Sequence, residues 1–323
     1  MRSGAGRVLG VVVLASIGLL ACTSDRADDA AASACADGDE PLAYVDVGAF
    51  EGAAEVWVDP RSGEPHKVTG GDGWAATRPA FSPDGQQLAV TRSEGDYESA
   101  GPTSTDIWTV RADGSNLQKV TGAEISDYFD DAAWSPNGND MAVSYLDAGT
   151  RSGGIQIIST EGDKKAEALT ETPPATMDLA PAWSPSGDEV AYLRAQQSPD
   201  PQVEMRVRNL DDDGDRLIAT VNDNVDTVDW SPTASTLLIS RGGGHAYTVD
   251  IDSGSVTDVG EASFARWASD GSRIYFIDSA GQLAEGSIDE GVVTVDSTIE
   301  GSTWSNVYPY LGLGVARCST TGT

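Results

Sequence analysis

Carboxylates are the most abundant side chains in this chain that could carry chemistry. The 323 residues include 51 Asp and Glu against 20 Lys and Arg, which gives a formal net charge of −31. Only two histidines, His66 and His245, are present, too few for a His-rich metal site, and each is explained by a surface or strand-edge position. The scarcity of basic residues excludes nucleic-acid binding and electrostatic docking on an anionic membrane. The chemistry left to consider is cation binding or carboxylate-based attack on a glycan.

A repeated aromatic-Ser-Pro motif sets the positions of these acids. Successive aromatics are separated by 53, 49, 47, 37 and 37 residues, which is the size of one four-stranded propeller blade. In each copy Pro and Gly predict a tight turn, and a short alternating strand follows it. We expect the aromatic ring to fill the space between neighbouring sheets. The copies lie at 81–85, 134–138, 183–187, 230–233 and 267–271, with a remnant at 304–306.

These copies resemble the TolB-type β-propeller repeat, a WD-like family marked by an aromatic-Ser-Pro-Asp-Gly turn before a strand. The similarity covers roughly residues 42–314, and it implies an all-β propeller fold. Propellers host many functions, so the resemblance indicates the fold more strongly than the activity. TolB itself carries an additional N-terminal domain, for which the N-terminal linker of this chain is too short.

The two ends of the repeat region each hold part of a blade. Residues 42–69 contain strand patterns without a preceding Ser-Pro turn, and residues 303–317 contain a turn remnant and one strand pattern. Joining them predicts a composite blade that closes a six-bladed ring and hides both sheet edges. We therefore assign the propeller to residues 41–318 and a short tail to 319–323.

The N-terminal segment reads as an export signal followed by a tether. Residues 1–21 combine two arginines with an apolar run, and they end in Leu-Leu-Ala before Cys22, which resembles a bacterial lipobox. Cys22 is the predicted lipidation site, although a plain secretory signal with a chance cysteine is the alternative. Residues 22–40 are small, polar and acidic, and they predict a flexible tether. Cys35 and Cys318 are predicted to form a disulfide in the exported protein, with two free thiols as the alternative.

Five carboxylates fall at or next to the position four residues before a repeated aromatic. If the strand before each aromatic is the innermost of its blade, these side chains converge on the central channel. Converging acids repel one another unless a cation, water or a basic group compensates them. We therefore predict that the channel can bind Ca²⁺, another divalent cation or a cationic group of a partner; a solvated rim, or Arg78 as the counter-charge, are the alternatives. The predicted channel residues are Asp130, Asp131, Asp178, Asp226 and Glu300.

The sequence favours a lipid-anchored, extracytoplasmic propeller that binds a protein or another component of the cell envelope. No G-x-S-x-G elbow and no phosphate-binding glycine loop occurs, so we expect no enzyme and no certain cofactor. We also expect a monomer. Two alternatives stay open: a cation- or small-ligand-binding lipoprotein of a transport or sensing system, and a carboxylate-based glycan-active enzyme.

Overall fold

The structure is a computed structural model of the chain. The structure describes residues 40–46, 54–70, 74–94, 104–121, 128–147, 149–150, 152–160, 166–196, 203–212, 214–221, 225, 227–240, 244–303 and 313–316. The predictions for Cys22, Cys35, Cys318 and Asp226 lie outside these residues. Within the described residues no helix is long and apolar enough to cross a membrane.

Every regular element in the described residues is a β-strand, in agreement with the all-β fold that the resemblance to the propeller repeat implies. The strands are β1 (Leu42–Asp46), β2 (Glu55–Asp59), β3 (His66–Gly70), β4 (Trp74–Phe81), β5 (Gln87–Glu94), β6 (Ser104–Arg111), β7 (Gln118–Lys119), β8 (Tyr128–Trp134), β9 (Asp140–Asp147), β10 (Ser152–Ser159), β11 (Ala166–Ala168), β12 (Thr176–Trp183), β13 (Glu189–Gln196), β14 (Val203–Asn209), β15 (Asp215–Val221), β16 (Thr227–Trp230), β17 (Thr236–Ser240), β18 (His245–Asp250), β19 (Val256–Glu261), β20 (Ser263–Trp267), β21 (Ile274–Ile277), β22 (Gln282–Asp289), β23 (Val292–Thr303) and β24 (Leu313–Val315).

Antiparallel pairing joins these strands in consecutive groups of four. The groups run β4 to β7, β8 to β11, β12 to β15, β16 to β19 and β20 to β23, and single parallel contacts link β6 to β8 and β10 to β12. A further group has the order β24-β1-β2-β3. The C-terminal strand thus pairs with the N-terminal one, with Ala43 opposite Gly314, as the fragments at the two chain ends predict. This pairing covers the edge that each end would otherwise expose.

The first strand in the spatial order of each group lies against the first strand of the next group. β4 contacts β8, β8 contacts β12, and the series continues through β16 and β20 to β24, which contacts β4 again. The inner strands therefore form a closed circle. Two hydrogen bonds hold the closure: Ala316 N–H donates to Pro41 O at 3.0 Å, and Ser269 N–H donates to Glu40 Oε1 at 2.7 Å. Burial raises the pKa of this Glu40 carboxyl above its usual value.

The hydrophobic core lies between neighbouring groups rather than within one sheet. Each repeated aromatic falls in a different cluster, and each cluster joins the strands of two successive groups. The predicted packing role of these rings is therefore confirmed for the five that the structure describes. Burial of a large aromatic is a major stabilising contribution at each interface. The rings are Phe81, Trp134, Trp183, Trp230 and Trp267.

The Ser-Pro-x-Gly motif forms the predicted tight turn. Gly85 N–H donates to Ser82 O at 2.8 Å, and Gly138 N–H donates to Ser135 O at 2.9 Å. Both glycines have positive φ, 70° and 75°, a conformation that side chains with a Cβ adopt rarely. Each turn also rests on its neighbour, because a Cβ at Gly138 would lie 3.8 Å from Pro83 Cδ. The turns thereby gather around one end of the ring.

Candidate functional site: the central cavity

A cavity of about 420 Å³ occupies the centre of the ring, and all the inner strands line it. Prolines of the repeated turns surround one end of it. Charged side chains of both signs line its wall, so it is a mixed-charge cavity rather than an acidic one. Its charged residues are Arg78, Asp131, Asp229 and Arg266.

Bulges in the inner strands give these side chains their direction. The pairing register shifts between Thr77 and Ala80 in β4, and between Phe129 and Ala132 in β8. Arg78, inside the first bulge, has a φ of 51°, an uncommon conformation for a residue other than glycine. Bulges re-aim side chains next to functional sites, and here they bring an arginine of β4 towards two aspartates of β8.

Arg78 neutralises the two acids that the sequence places at this point of the channel. Its Nε lies 2.8 Å from Asp130 Oδ1, and its Nη1 lies 2.8 Å from Asp131 Oδ1. The Arg78 side chain is 13% exposed, whereas that of Asp130 is 46% exposed. The structure thus shows the counter-charge that the sequence left as an alternative to a cation. Among the described residues no group of three or more His, Cys, Asp or Glu side chains could hold a metal ion.

Of the predicted channel residues, Asp178 does not line the cavity and Glu300 does not belong to an inner strand. Asp178 is fully buried, and it forms an ion pair with Arg194 of the neighbouring strand β13, 2.7 Å from Oδ1 to Nε. The inner strand bulges beyond it, between Leu179 and Ala182, so a count along a regular strand misplaces its side chain. Glu300 belongs to β23, the outermost strand of its sheet, because the inner strand of the closing group is β24 rather than the segment before Trp304.

Sequence reasoning missed two charged residues of the cavity, Asp229 and Arg266. Each directly precedes a repeated aromatic, where the first three copies have alanine. Asp229 Oδ2 accepts a hydrogen bond from the backbone N–H of Trp267 at 2.7 Å, which ties β16 to β20. The residue directly before each of the five described aromatics lines the cavity, and scanning that position would have identified both side chains.

The repeated tryptophans around the cavity differ in the hydrogen bonds that their indole N–H groups make. Trp134 Nε1 donates to Ala80 O at 3.0 Å, and Trp183 Nε1 donates to Ala133 O at 3.1 Å, so each bridges to the preceding group. Trp267 also lines the cavity, but its buried Nε1 has no hydrogen-bond partner within the described residues. A buried donor without a protein partner is a natural contact for water or a ligand.

Removal of Arg78 should make the protein sensitive to calcium. In Arg78→Ala, Asp130 and Asp131 lose the arginine with which both are paired. We expect millimolar Ca²⁺ to raise the unfolding temperature of this variant by about 2–4 °C. The wild type should not respond, because its carboxylates are already paired. Differential scanning fluorimetry with and without Ca²⁺ measures the effect. Arg216→Ala, which breaks an exposed ion pair with Glu189, is the control, and an equal shift in all three proteins would contradict the expectation.

Comparison with solved structures shows that the fold is similar to that of TolB. TolB from Acinetobacter baumannii superposes with a TM-score of 0.61 at 14% identity over 86% of this chain and 66% of that one. A protein assigned as TolB from Agrobacterium tumefaciens gives 0.56 at 14% identity, over 84% and 90% of the two chains. An oligogalacturonate lyase in complex with manganese gives 0.51 at 11% identity, over 80% and 73%. The chain therefore has a TolB-like β-propeller fold.

Sequence comparison adds one partial relative. An uncharacterised protein of Agrobacterium fabrum is 31% identical over 148 residues, which span 42% of this chain and 45% of that protein. The matched segment is thus less than half of either sequence. No protein-family model matches the chain.

Proposed function

We propose that this TolB-like propeller is a lipid-anchored, extracytoplasmic binding platform that holds a protein or another envelope component at its central cavity. In this proposal the four-strand groups are the blades of a six-bladed ring, Cys22 carries the lipid, and the chain acts by binding rather than by catalysis. The lipobox-like sequence before Cys22 supports the location.

The observation that carries the proposal is the mixed-charge cavity at the ring centre. Its volume of about 420 Å³ lies in the range of ligand-binding cavities. The guanidinium groups of Arg78 and Arg266 place positive charge at the cavity wall, where it attracts acidic groups of a ligand, and the buried Trp267 Nε1 is a hydrogen-bond donor. A rigid ring presents these groups in fixed positions, which lowers the entropic cost of binding a partner segment.

The acids of the cavity already accept hydrogen bonds from the protein, which supports a binding role rather than a catalytic one. Asp131 accepts from Arg78, and Asp229 accepts from the Trp267 backbone. General acid–base catalysis needs a carboxyl group that can take up and release a proton at the substrate. A carboxylate that is already engaged by a guanidinium or a backbone amide is poorly placed for that task.

Photo-crosslinking on intact cells tests the proposal. A photoreactive residue replaces Pro136, which lines the cavity, and in a control strain it replaces Glu64 in the exposed turn between β2 and β3. We expect a discrete adduct from position 136 alone, identified by mass spectrometry. The adduct should be lost when Arg266→Glu is added, because the charge of the cavity wall changes. An adduct that forms equally from position 64, or that survives the charge reversal, would reject the cavity as the binding site.

A further inference from the structure

The outer edge of β23 differs from the other sheet edges of the ring. β23 ends its sheet and has 12 residues, whereas the corresponding outer strands β3, β7, β11, β15 and β19 have 5, 2, 3, 7 and 6. Its side chains Val292 and Val295 are 57% and 52% exposed. A long terminal strand with exposed apolar side chains offers backbone donors and acceptors to another strand.

The hairpin that leads into β23 fixes which backbone groups face outward. Glu290 and Gly291, between Asp289 and Val292, both have positive φ, 51° and 80°, which defines a two-residue type I′ turn. The residues flanking such a turn are hydrogen-bonded to each other, and pairs along the hairpin alternate. The N–H and C=O groups of Val293 and Val295 therefore point away from β22. The register shifts after Val295 and resumes at Ser297.

A second outer strand extends the apolar surface next to this edge. A Cβ at Gly291 would lie 3.2 Å from Thr257 Cγ2 of β19, so the two strands adjoin at the turn. Val256, the residue before Thr257, is 40% exposed. We call Val256, Val292 and Val295 the outer-strand patch. Because side chains alternate along a strand, Val292 and Val295 lie on opposite faces of β23, and an added strand meets an exposed apolar side chain on each face.

The charge around the edge selects the partner. β23 contains no Lys, Arg or Pro, the residues that commonly protect a sheet edge, and Asp289, Glu290 and Asp296 near it are exposed. A second copy of this chain would bring the same acids to the same edge, and each copy carries a net charge of −31. Like charges placed opposite one another across a strand pair destabilise it. An extended segment with basic side chains gains the backbone hydrogen bonds without this repulsion.

We propose that the outer edge of β23 around Val293 and Val295, which no other described strand pairs with, binds an extended, lysine- or arginine-bearing segment of a partner protein, which adds as a further strand to the sheet. Main-chain hydrogen bonds to Val293 and Val295 supply the affinity, and the acids beside the edge select basic side chains. This surface lies on the outside of the ring, and it is separate from the central cavity.

Titration calorimetry with defined peptides tests this surface. The probe is a seven-residue peptide of alternating lysine and valine with blocked ends, and the two comparison peptides carry glutamate for lysine or N-methyl groups on every amide. We expect only the unmodified lysine peptide to bind, and we expect it to slow hydrogen–deuterium exchange in residues 292–298. Val295→Lys should weaken its binding at least tenfold, because a lysine on the edge repels the probe and removes an apolar contact. Leu217→Lys is the matched control on β15, where the leucine is 51% exposed, and its binding should stay within twofold of the wild type.

Three outcomes would overturn the proposal. Equal weakening by Val295→Lys and Leu217→Lys would show general attraction to an acidic surface. Binding of the N-methylated peptide with unchanged affinity would exclude strand addition. A dimer of the protein in sedimentation that Val295→Lys dissociates would assign the edge to a second copy. Unfolding midpoints of both variants, expected to match the wild type because both side chains are exposed, verify that they are folded.

Discussion

Asp178→Ala is expected to lower the free energy of unfolding by about 3–5 kcal/mol. The Asp178 side chain is fully buried, and it accepts two hydrogen bonds from Arg194, at 2.7 Å from Nε and 2.8 Å from Nη2. The guanidinium of Arg194 stays charged when Asp178 is lost, because even an unperturbed arginine side chain does not lose its proton in a protein. Its side chain is only 13% exposed, and water replaces the carboxylate poorly. Urea denaturation of both proteins measures the loss.

Two further variants separate the buried charge from simple truncation. Asp178→Ala combined with Arg194→Met removes both charges, and we expect it to recover more than half of the lost stability, because no unpaired ion remains. Glu189→Ala breaks the ion pair with Arg216, whose side chain is 47% exposed, and it should cost less than about 1 kcal/mol. If Asp178→Ala costs no more than Glu189→Ala, or if the double variant is the least stable of all, the ion pair is not what stabilises this part of the sheet.

The structure agrees with the predictions that rested on a short repeated motif or on the number of strand patterns at each end of the repeat region. Ser82 and Gly85 form the predicted turn because Pro83 and the glycine restrict the backbone there whatever surrounds it. The aromatics after each inner strand pack between neighbouring groups, since one large ring per repeat fits a regularly repeated interface. The pairing of β24 with β1 was predictable because each chain end lacked the strands that the other one had.

The side-chain positions within the inner strands could not be predicted in this way. A count of four residues from each aromatic assumes a regular strand, but a bulge before the aromatic changes the face on which a side chain lies. The count gave Leu179, so Asp178 was predicted to line the channel as its neighbour, and Asp229, which directly precedes the aromatic, was overlooked. For Glu300 the count began at Trp304, which precedes the inner strand β24 instead of ending it. The errors at Asp178 and Asp229 come from irregular strand geometry, and the error at Glu300 comes from assigning the last aromatic to the wrong strand; residue spacing alone encodes neither.

The close approach of the two chain ends inside the ring makes Gly314 the most constrained residue of the closure. Gly314 lies in β24 between β1 and β4, and a Cβ there would be 2.6 Å from Pro79 O and 3.2 Å from Pro79 C. These are backbone atoms of the adjacent inner strand, so they cannot move aside as a flexible side chain would. We expect Gly314→Ala to cost about 1–3 kcal/mol of unfolding free energy, since overpacking forces a backbone shift.

Hydrogen–deuterium exchange reveals whether that cost falls on the ring closure. In Gly314→Ala the amides of β1 and β24 should exchange faster, because the added methyl group separates β24 from β4 and weakens the pairing with β1. The amides of β13, which belongs to the group opposite the closure, should keep their protection. Gly63→Ala is the matched control, because its Cβ would meet only Pro60 Cγ at 3.5 Å, and it should stay within about 0.5 kcal/mol of the wild type. Equal stability of the two variants, or faster exchange spread evenly over all groups, would show that the ring does not depend on this contact.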